Sequence, residues 1–336
     1  MLQQKKVYQE THINMKPKIL VTRKLIDLSE QRLLKNFDAK LNLDDEPIPY
    51  KDLANIANEY DGIICSSWDK LDKNFFDHLN QKVKIIAQIG IGYDNIDIVS
   101  AKKKNIIVTN SPNKANESVA EIVFFLMIGI SRRTNEGIEL IRDHKWKNAK
   151  IDWHKFMVGN SLKNKTIGII GMGRIGRDIA KKARAFDMNI VYHNRKRLEQ
   201  NLENNALYFS TVNEMVKHCD FVSVNCPGSK DSYQIINREV ISLMKKNAIL
   251  INTSRGDNID DGALIEALKN KKIYGAGLDV FNNEPNLDKR YLDLENCILL
   301  PHIGSASKST REEMGTQAVE NLEAFFSDKP LISRVN

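Results

Sequence analysis

The sequence predicts an α/β protein made of two doubly wound parallel-sheet domains, a Rossmann-type nucleotide domain and a smaller flavodoxin-like one. Three observations carry that expectation. At 336 residues the chain exceeds the size at which one hydrophobic core keeps growing, so two domains are the default. Short β-branched runs recur at helix-sized separations, as strands do when crossover helices keep them parallel. A glycine-rich loop, Gly171-Met-Gly-Arg-Ile-Gly176, joins an apolar run to a helical one.

Taken in order, Lys18-Ile-Leu-Val-Thr22 reads as the first strand, with a helix behind it to about Phe37. Gly62-Ile-Ile-Cys65, residues 83–87 and Asn105-Ile-Ile-Val-Thr109 repeat the theme. Residues 117–133 then predict one long, largely buried helix, with Pro112 just outside it. The polar stretch 143–164, carrying Trp146 and Trp153, reads as a loop wrapping the surface. A second alternating block starts at Lys165-Thr-Ile-Gly-Ile-Ile170. It continues through strands at 189–193, 221–225, 248–252, 275–279 and 297–300. Six strands separated by helices match a doubly wound dinucleotide-binding sheet. Residues 1–14 are polar and lack the apolar core of a secretory signal, and with Met15 just ahead of the first strand they read as a disordered leader or a start-site artefact.

Bulk chemistry narrows the class. Apolar residues at 42% and charged residues at 28% are ordinary for a soluble globular enzyme. The longest apolar stretch, 122–130, is too short to span a bilayer. The net charge of +7 is spread along the chain without zinc-finger spacing or an RNA-binding aromatic motif. It predicts a solvated basic surface and no nucleic-acid or membrane partner. Cys65, Cys219, Cys226 and Cys297 show no paired spacing, which predicts reduced thiols, a cytoplasmic protein and no metal site.

The glycine loop has a physical reading. Gly171 permits a tight turn, Gly173 the close approach of a pyrophosphate, and Gly176 tight packing of helix on strand. The helix start that follows offers N–H groups and partial positive charge to an anion. Cofactor choice falls to the end of the next strand, where an acid would bond the ribose of NAD. Asn194-Arg195-Lys196-Arg197 stands there instead, which predicts NADP in preference to NAD, the alternative being a plain exposed basic turn.

Three residues further on supply the chemistry. Arg255 follows a strand directly, where its guanidinium can grip a carboxylate and carbonyl without losing its proton. His302 can donate a proton to a developing alkoxide, and Glu284, if it touches that ring, would keep it charged near neutral pH. Singly these read as a strand-end cap, a core histidine and a turn acid. Together, each just beyond its own strand, they predict a site that reduces a 2-oxo acid.

The segments Gly171-Met-Gly-Arg-Ile-Gly176, Asn252-Thr-Ser-Arg-Gly-Asp-Asn-Ile-Asp-Asp261, Gly277-Leu-Asp-Val-Phe-Asn-Asn-Glu-Pro285 and Pro301-His-Ile-Gly-Ser-Ala306 closely resemble the D-isomer-specific 2-hydroxyacid dehydrogenases. The resemblance runs from about Lys18 to about Lys329. It implies that Arg255 binds substrate, Glu284 tunes the acid and His302 donates the proton. It implies further that Ile91 and Gly92, in Gly90-Ile-Gly-Tyr-Asp-Asn-Ile-Asp97, offer backbone N–H groups to the substrate carboxylate. Arg174 and Ile175 would contact the pyrophosphate, Cys226 and Pro227 the adenosine side, and Ser232 a phosphate or ribose. Asp279 would lie near the nicotinamide amide, with Thr253 and Ser305 flanking it. Members of the family build a discontinuous substrate domain from both chain ends, here 15–113 with 306–336, around a dinucleotide domain at 114–305. They form homodimers, and helix 117–133 matches the dimerising element, although burial within one subunit would look the same.

Within the family, Val21-Thr-Arg23 and Gly92-Tyr-Asp-Asn-Ile-Asp97 resemble the glyoxylate and hydroxypyruvate reductases. Two rivals stand beside that expectation. One is a dehydrogenase of the D-3-phosphoglycerate type, which needs further cations, such as Lys70 or Lys73, at the substrate tail. The other is a dinucleotide-sensing corepressor-like protein that keeps the fold but works by binding partners. Ser66, Ser67, Trp68 and Trp153 are the candidates for shaping the substrate pocket, although core packing explains the two aromatics equally well.

Overall fold

The computed structural model describes residues 16–149 and 151–336, so the leader expected at 1–14 lies outside the described residues. The chain divides into two compact units. One is drawn from both chain ends, up to Lys114 and from Ser307 to Asn336, and the other spans Ala115–Ala306.

In the first unit, β1 (Lys18–Val21), β2 (Asp38–Lys40), β3 (Gly62–Cys65), β4 (Ile85–Gln88) and β5 (Ile107–Thr109) form a wholly parallel sheet. Its order, β2-β1-β3-β4-β5, is the flavodoxin-like one. Every residue of β3 and β4 is buried, which is why these strands read as unbroken apolar runs rather than alternating ones. Leu53, Phe75, Phe76 and Ala101, from three short helices, complete one core with Ile63 and Ile86. Helix Lys308–Phe326, from the end of the chain, packs on β3 and β4. Strand β2 escaped the sequence reading because it is a three-residue edge of Asp-Ala-Lys with little burial to impose a pattern.

The second unit holds β6 (Thr166–Ile170), β7 (Asn189–His193), β8 (Leu207–Tyr208), β9 (Phe221–Val224), β10 (Ile249–Asn252), β11 (Gly275–Leu278) and β12 (Cys297–Leu299). All pairs are parallel, in the order β12-β11-β10-β9-β6-β7-β8. The six predicted strands are present, and the two-residue edge strand β8 is the addition. Alternation along β6 sends Ile169 into one core and Ile170 into the other, so both faces of the sheet are covered. The chain order reverses between β6 and β9. Such a switch point opens a crevice at the carboxyl ends of the strands, where ligands of open α/β sheets bind.

The long helix runs Asn116–Ser131, and Val123, Leu126, Met127 and Ile130 bury one face of it. It stops short of the expected residue 133 because Arg133 adopts a left-handed conformation, with φ of 54°. A second helix, Thr134–Arg142, restarts from that residue and has no buried side chain. Among the described residues, no helix is long and apolar enough to cross a membrane.

Candidate active site

At the switch point, Gly171 has φ of 95°, and a Cβ there would sit 2.7 Å from the backbone nitrogen of Cys226. Only glycine satisfies both conditions. At Gly176 a Cβ would lie 2.4 Å from the carbonyl oxygen of Gly171, so this glycine lets helix Arg174–Ala185 close onto its strand. Gly173 differs, because a Cβ there would meet nothing within 4 Å. The helix start receives no side-chain cap, and Arg174 is exposed beside it. Bare glycine, open space and uncapped N–H groups fit a dinucleotide pyrophosphate. Ile175 sends its side chain into the core, which leaves its backbone for that role.

The cofactor-side residues divide into two kinds. Asn194 accepts the N–H of Met172 at 2.6 Å, so its side chain shapes the glycine loop from the end of β7. Arg197 grips Glu203 in a fork at 2.8 and 3.0 Å, and Tyr192 donates to the same carboxylate. Of the three predicted cations, Arg197 therefore closes the β7–β8 connection. Arg195 and Lys196 stay exposed, with Arg195 in a surface ion pair to Asp231 at 2.9 Å. After β9, Cys226 accepts from Asn258 through its carbonyl at 3.0 Å, and burial pushes its thiol up to about 11. Ser232 donates to the carbonyl of Pro227 at 2.6 Å and so ties the turn that follows. The hydroxyl oxygen of Thr253 is buried without a hydrogen-bond partner among the described residues, and Ser305 lies half-buried after the histidine loop.

Three loops of this unit bring the predicted chemical groups together. Arg255 leaves β10 in extended conformation. A buried polar cluster fixes its loop: Asn252 bonds the carbonyl of Arg255 at 2.8 Å and accepts from Ser254, while Asn258 donates to Ser254. The Arg255 guanidinium donates to the carbonyl of Ser254 at 2.6 Å, and its aliphatic stem packs over Gly228. The next residue, Gly256, meets the loop after β11 at such close range that a Cβ would sit 2.0 Å from the carbonyl carbon of Phe281. Sequence reasoning missed this glycine and the Asn252–Ser254–Asn258 cluster. Their only signal was a dense run of small polar residues around the arginine.

The loop carrying Glu284 reaches the ring of His302, with Nδ1 to Oε2 at 2.7 Å, while the other carboxylate oxygen accepts the N–H of Phe281 at 2.8 Å. Burial alone would push the Glu284 carboxyl up. The bond to His302, the Phe281 amide and the nearby Arg255 charge outweigh it and hold the acid below its ordinary value. His302 itself has φ of 56°, an uncommon conformation for a residue with a side chain and one that gathers at functional sites. Asp279 holds this conformation. Almost wholly buried, it accepts the amides of Ile303 and Gly304, both at 2.7 Å. Burial raises its carboxyl above the usual range despite those two bonds. The structure thus gives Asp279 a task in shaping the histidine loop, beside the cofactor contact the resemblance implied.

Ile91 and Gly92 belong to the other unit. The carbonyls of Gly90, Ile91 and Gly92 accept from Ser111, Asn110 and Gln88 respectively, which fixes the orientation of each peptide plane.

The model of the D-isomer specific 2-hydroxyacid dehydrogenase NAD binding domain matches residues 124–304. The glyoxylate reductase of Thermococcus litoralis is 40% identical over 312 residues, covering 93% of this chain and 94% of its own. That of Pyrococcus horikoshii is 39% identical, with 93% of each chain covered. Among solved structures, an NADPH-dependent glyoxylate/hydroxypyruvate reductase from Sinorhizobium meliloti, in complex with NADP and malonate, is 33% identical. It superposes with a TM-score of 0.84 over 95% of this chain and 97% of its own. Two parallel α/β sheets, a glycine cradle at the switch point, an acid-paired histidine beside an arginine, and these relatives lead to one conclusion: the chain belongs to the D-isomer-specific 2-hydroxyacid dehydrogenases, oxidoreductases that act on 2-hydroxy and 2-oxo acids.

Proposed function

We propose that this protein is a cytoplasmic, homodimeric reductase that converts glyoxylate or hydroxypyruvate to the 2-hydroxy acid, with NADPH preferred over NADH. The observation that carries the reading is the 2.7 Å contact between Glu284 and Nδ1 of His302, with Arg255 close enough to depress the same carboxyl. Bound NADPH supplies the hydride to the carbonyl carbon. Arg255 holds the substrate carboxylate and carbonyl oxygen as a fixed cation, and the amides of Ile91 and Gly92 take the rest of the carboxylate. His302 gives its Nε2 proton to the carbonyl oxygen as negative charge develops there. Glu284, at the opposite ring nitrogen, fixes the ring and stabilises the imidazolium.

Arg174 and the amide of Ile175 are assigned to the pyrophosphate, Gly171, Gly173 and Gly176 to its cradle, and Cys226, Pro227 and Ser232 to the adenosine side. Thr253, Asp279 and Ser305 are assigned to the nicotinamide end. Arg195 and Lys196 are assigned to the 2′-phosphate. Arg195 pairs with the exposed Asp231, and a surface ion pair of that kind is worth about 0–1 kcal/mol, little to give up for a phosphate. Support for a dimer comes from apolar exposure concentrated in one stretch of the second unit, where Phe125, Ile138, Ile141, Trp146 and Trp153 all stand open. Four free thiols suit the cytoplasm.

The test is a panel of glyoxylate, hydroxypyruvate, pyruvate and 3-phosphohydroxypyruvate, each assayed with NADPH and with NADH. The highest kcat/KM is expected for glyoxylate or hydroxypyruvate with NADPH. A preference for the phosphorylated acid, or for NADH, would overturn the assignment.

A further inference from the structure

Asp261 is the first residue of helix Asp261–Lys269. Its neighbour Asp260 already caps that helix by accepting the N–H of Ala263 at 3.0 Å. Asp261 instead spreads its two carboxylate oxygens over two other segments. One accepts the side-chain amide of Asn282 at 2.7 Å, and the other accepts the hydroxyl of Tyr291 at 2.7 Å. Both partners flank Glu284 in sequence, Asn282 two residues before it and Tyr291 seven residues after. Tyr291 is almost wholly buried, and its ring meets that of Phe281 edge-on with centroids 6.2 Å apart. The N–H of Phe281 is the group that bonds Glu284 Oε1. A helix start is also a favourable place to hold a carboxylate charge.

We infer that Asp261 is a positioning residue for the proton donor: by clamping Asn282 and Tyr291 it pins the loop that presents Glu284 to His302. The inference rests on the reading of His302 as an acid tuned by Glu284. Its consequence follows from the direction of that tuning. A carboxylate at Nδ1 stabilises the charged ring, so a loosened loop weakens that support, and the alkaline limb of the turnover profile moves to lower pH. Asp261→Asn keeps the size of the side chain and an acceptor for Tyr291, but turns one amide donor against that of Asn282. Asn282→Ala breaks the same contact from the loop side and leaves the helix start untouched.

The experiment is kcat against pH for glyoxylate reduction with saturating NADPH, in the parent protein, Asp261→Asn, Asn282→Ala and Glu284→Gln. The expected result is an alkaline limb lowered by about one pH unit in the two clamp variants and by more in Glu284→Gln. If Glu284→Gln moves the limb while both clamp variants keep the parent position, the inference is wrong. A uniform loss of kcat without displacement of the limb would also overturn it, as a purely structural role. If Glu284→Gln itself leaves the limb in place, the reading beneath the inference fails first. Should Asp261→Asn not fold, Asn282→Ala alone decides.

Discussion

Gly256→Ala perturbs the relation between Arg255 and Glu284 without touching either side chain. The added methyl would sit 2.0 Å from the carbonyl carbon of Phe281, 2.3 Å from its oxygen and 2.3 Å from the nitrogen of Asn282. All three are backbone atoms, so no rotamer change relieves them. To bring the nearest contact from 2.0 Å to the 3.4 Å at which ordinary packing begins, the two loops must part by about 1.4 Å. A shift of about 1 Å in catalytic geometry can cost roughly 10²-fold in rate, so kcat for glyoxylate reduction should fall by about that factor or more. Gly262→Ala is the control six residues on. Its Cβ would meet only the Asp260 carboxylate, at 3.4 Å, and alanine suits a helix, so near-parent turnover is expected. The assay is steady-state NADPH oxidation with NADPH affinity measured alongside, since the glycine cradle lies in a different loop. A Gly256→Ala protein that binds NADPH normally and turns over at the parent rate would refute the argument that close loop packing sets the site.

Two further outcomes are expected. Replacing Arg195 and Lys196 together by glutamine should raise the KM for NADPH by on the order of 10²–10⁴-fold, because bonds to charged groups contribute about 1.5–3 kcal/mol each, and should leave NADH unaffected. Equal loss with both cofactors would show that the turn does not read the phosphate. Phe125→Asp places a charge on the exposed face of helix Asn116–Ser131, where Phe125 is 51% exposed in the single chain, and should shift sedimentation from dimer towards monomer. A monomeric parent would remove the dimer assignment.

Much of this was legible in the sequence because the signals were strong and local. Buried parallel strands such as β3 and β4 must be largely apolar, and Gly171 and Gly176 are demanded by backbone geometry that no other residue meets. The acid–imidazole pair could be named because each member follows its own strand. What remained illegible is what depends on tertiary placement. Edge strands β2 and β8 have no buried face to impose a pattern. Arg197 looked equivalent to Arg195 and Lys196 until its fork to Glu203 separated it from them. The role of Gly256 is invisible without the loop it touches, 25 residues away at Phe281. Asp279 reads as a ligand contact until its two bonds to the histidine loop are seen.

The proposed reaction turns on proton delivery by His302. Its most direct test is the rate of a single turnover of glyoxylate by NADPH-loaded His302→Ala. Removal of a positioned general acid should slow that step by on the order of 10²–10⁴-fold while the Kd for NADPH stays near that of the parent. A single-turnover rate close to the parent's would show that the proton comes from elsewhere.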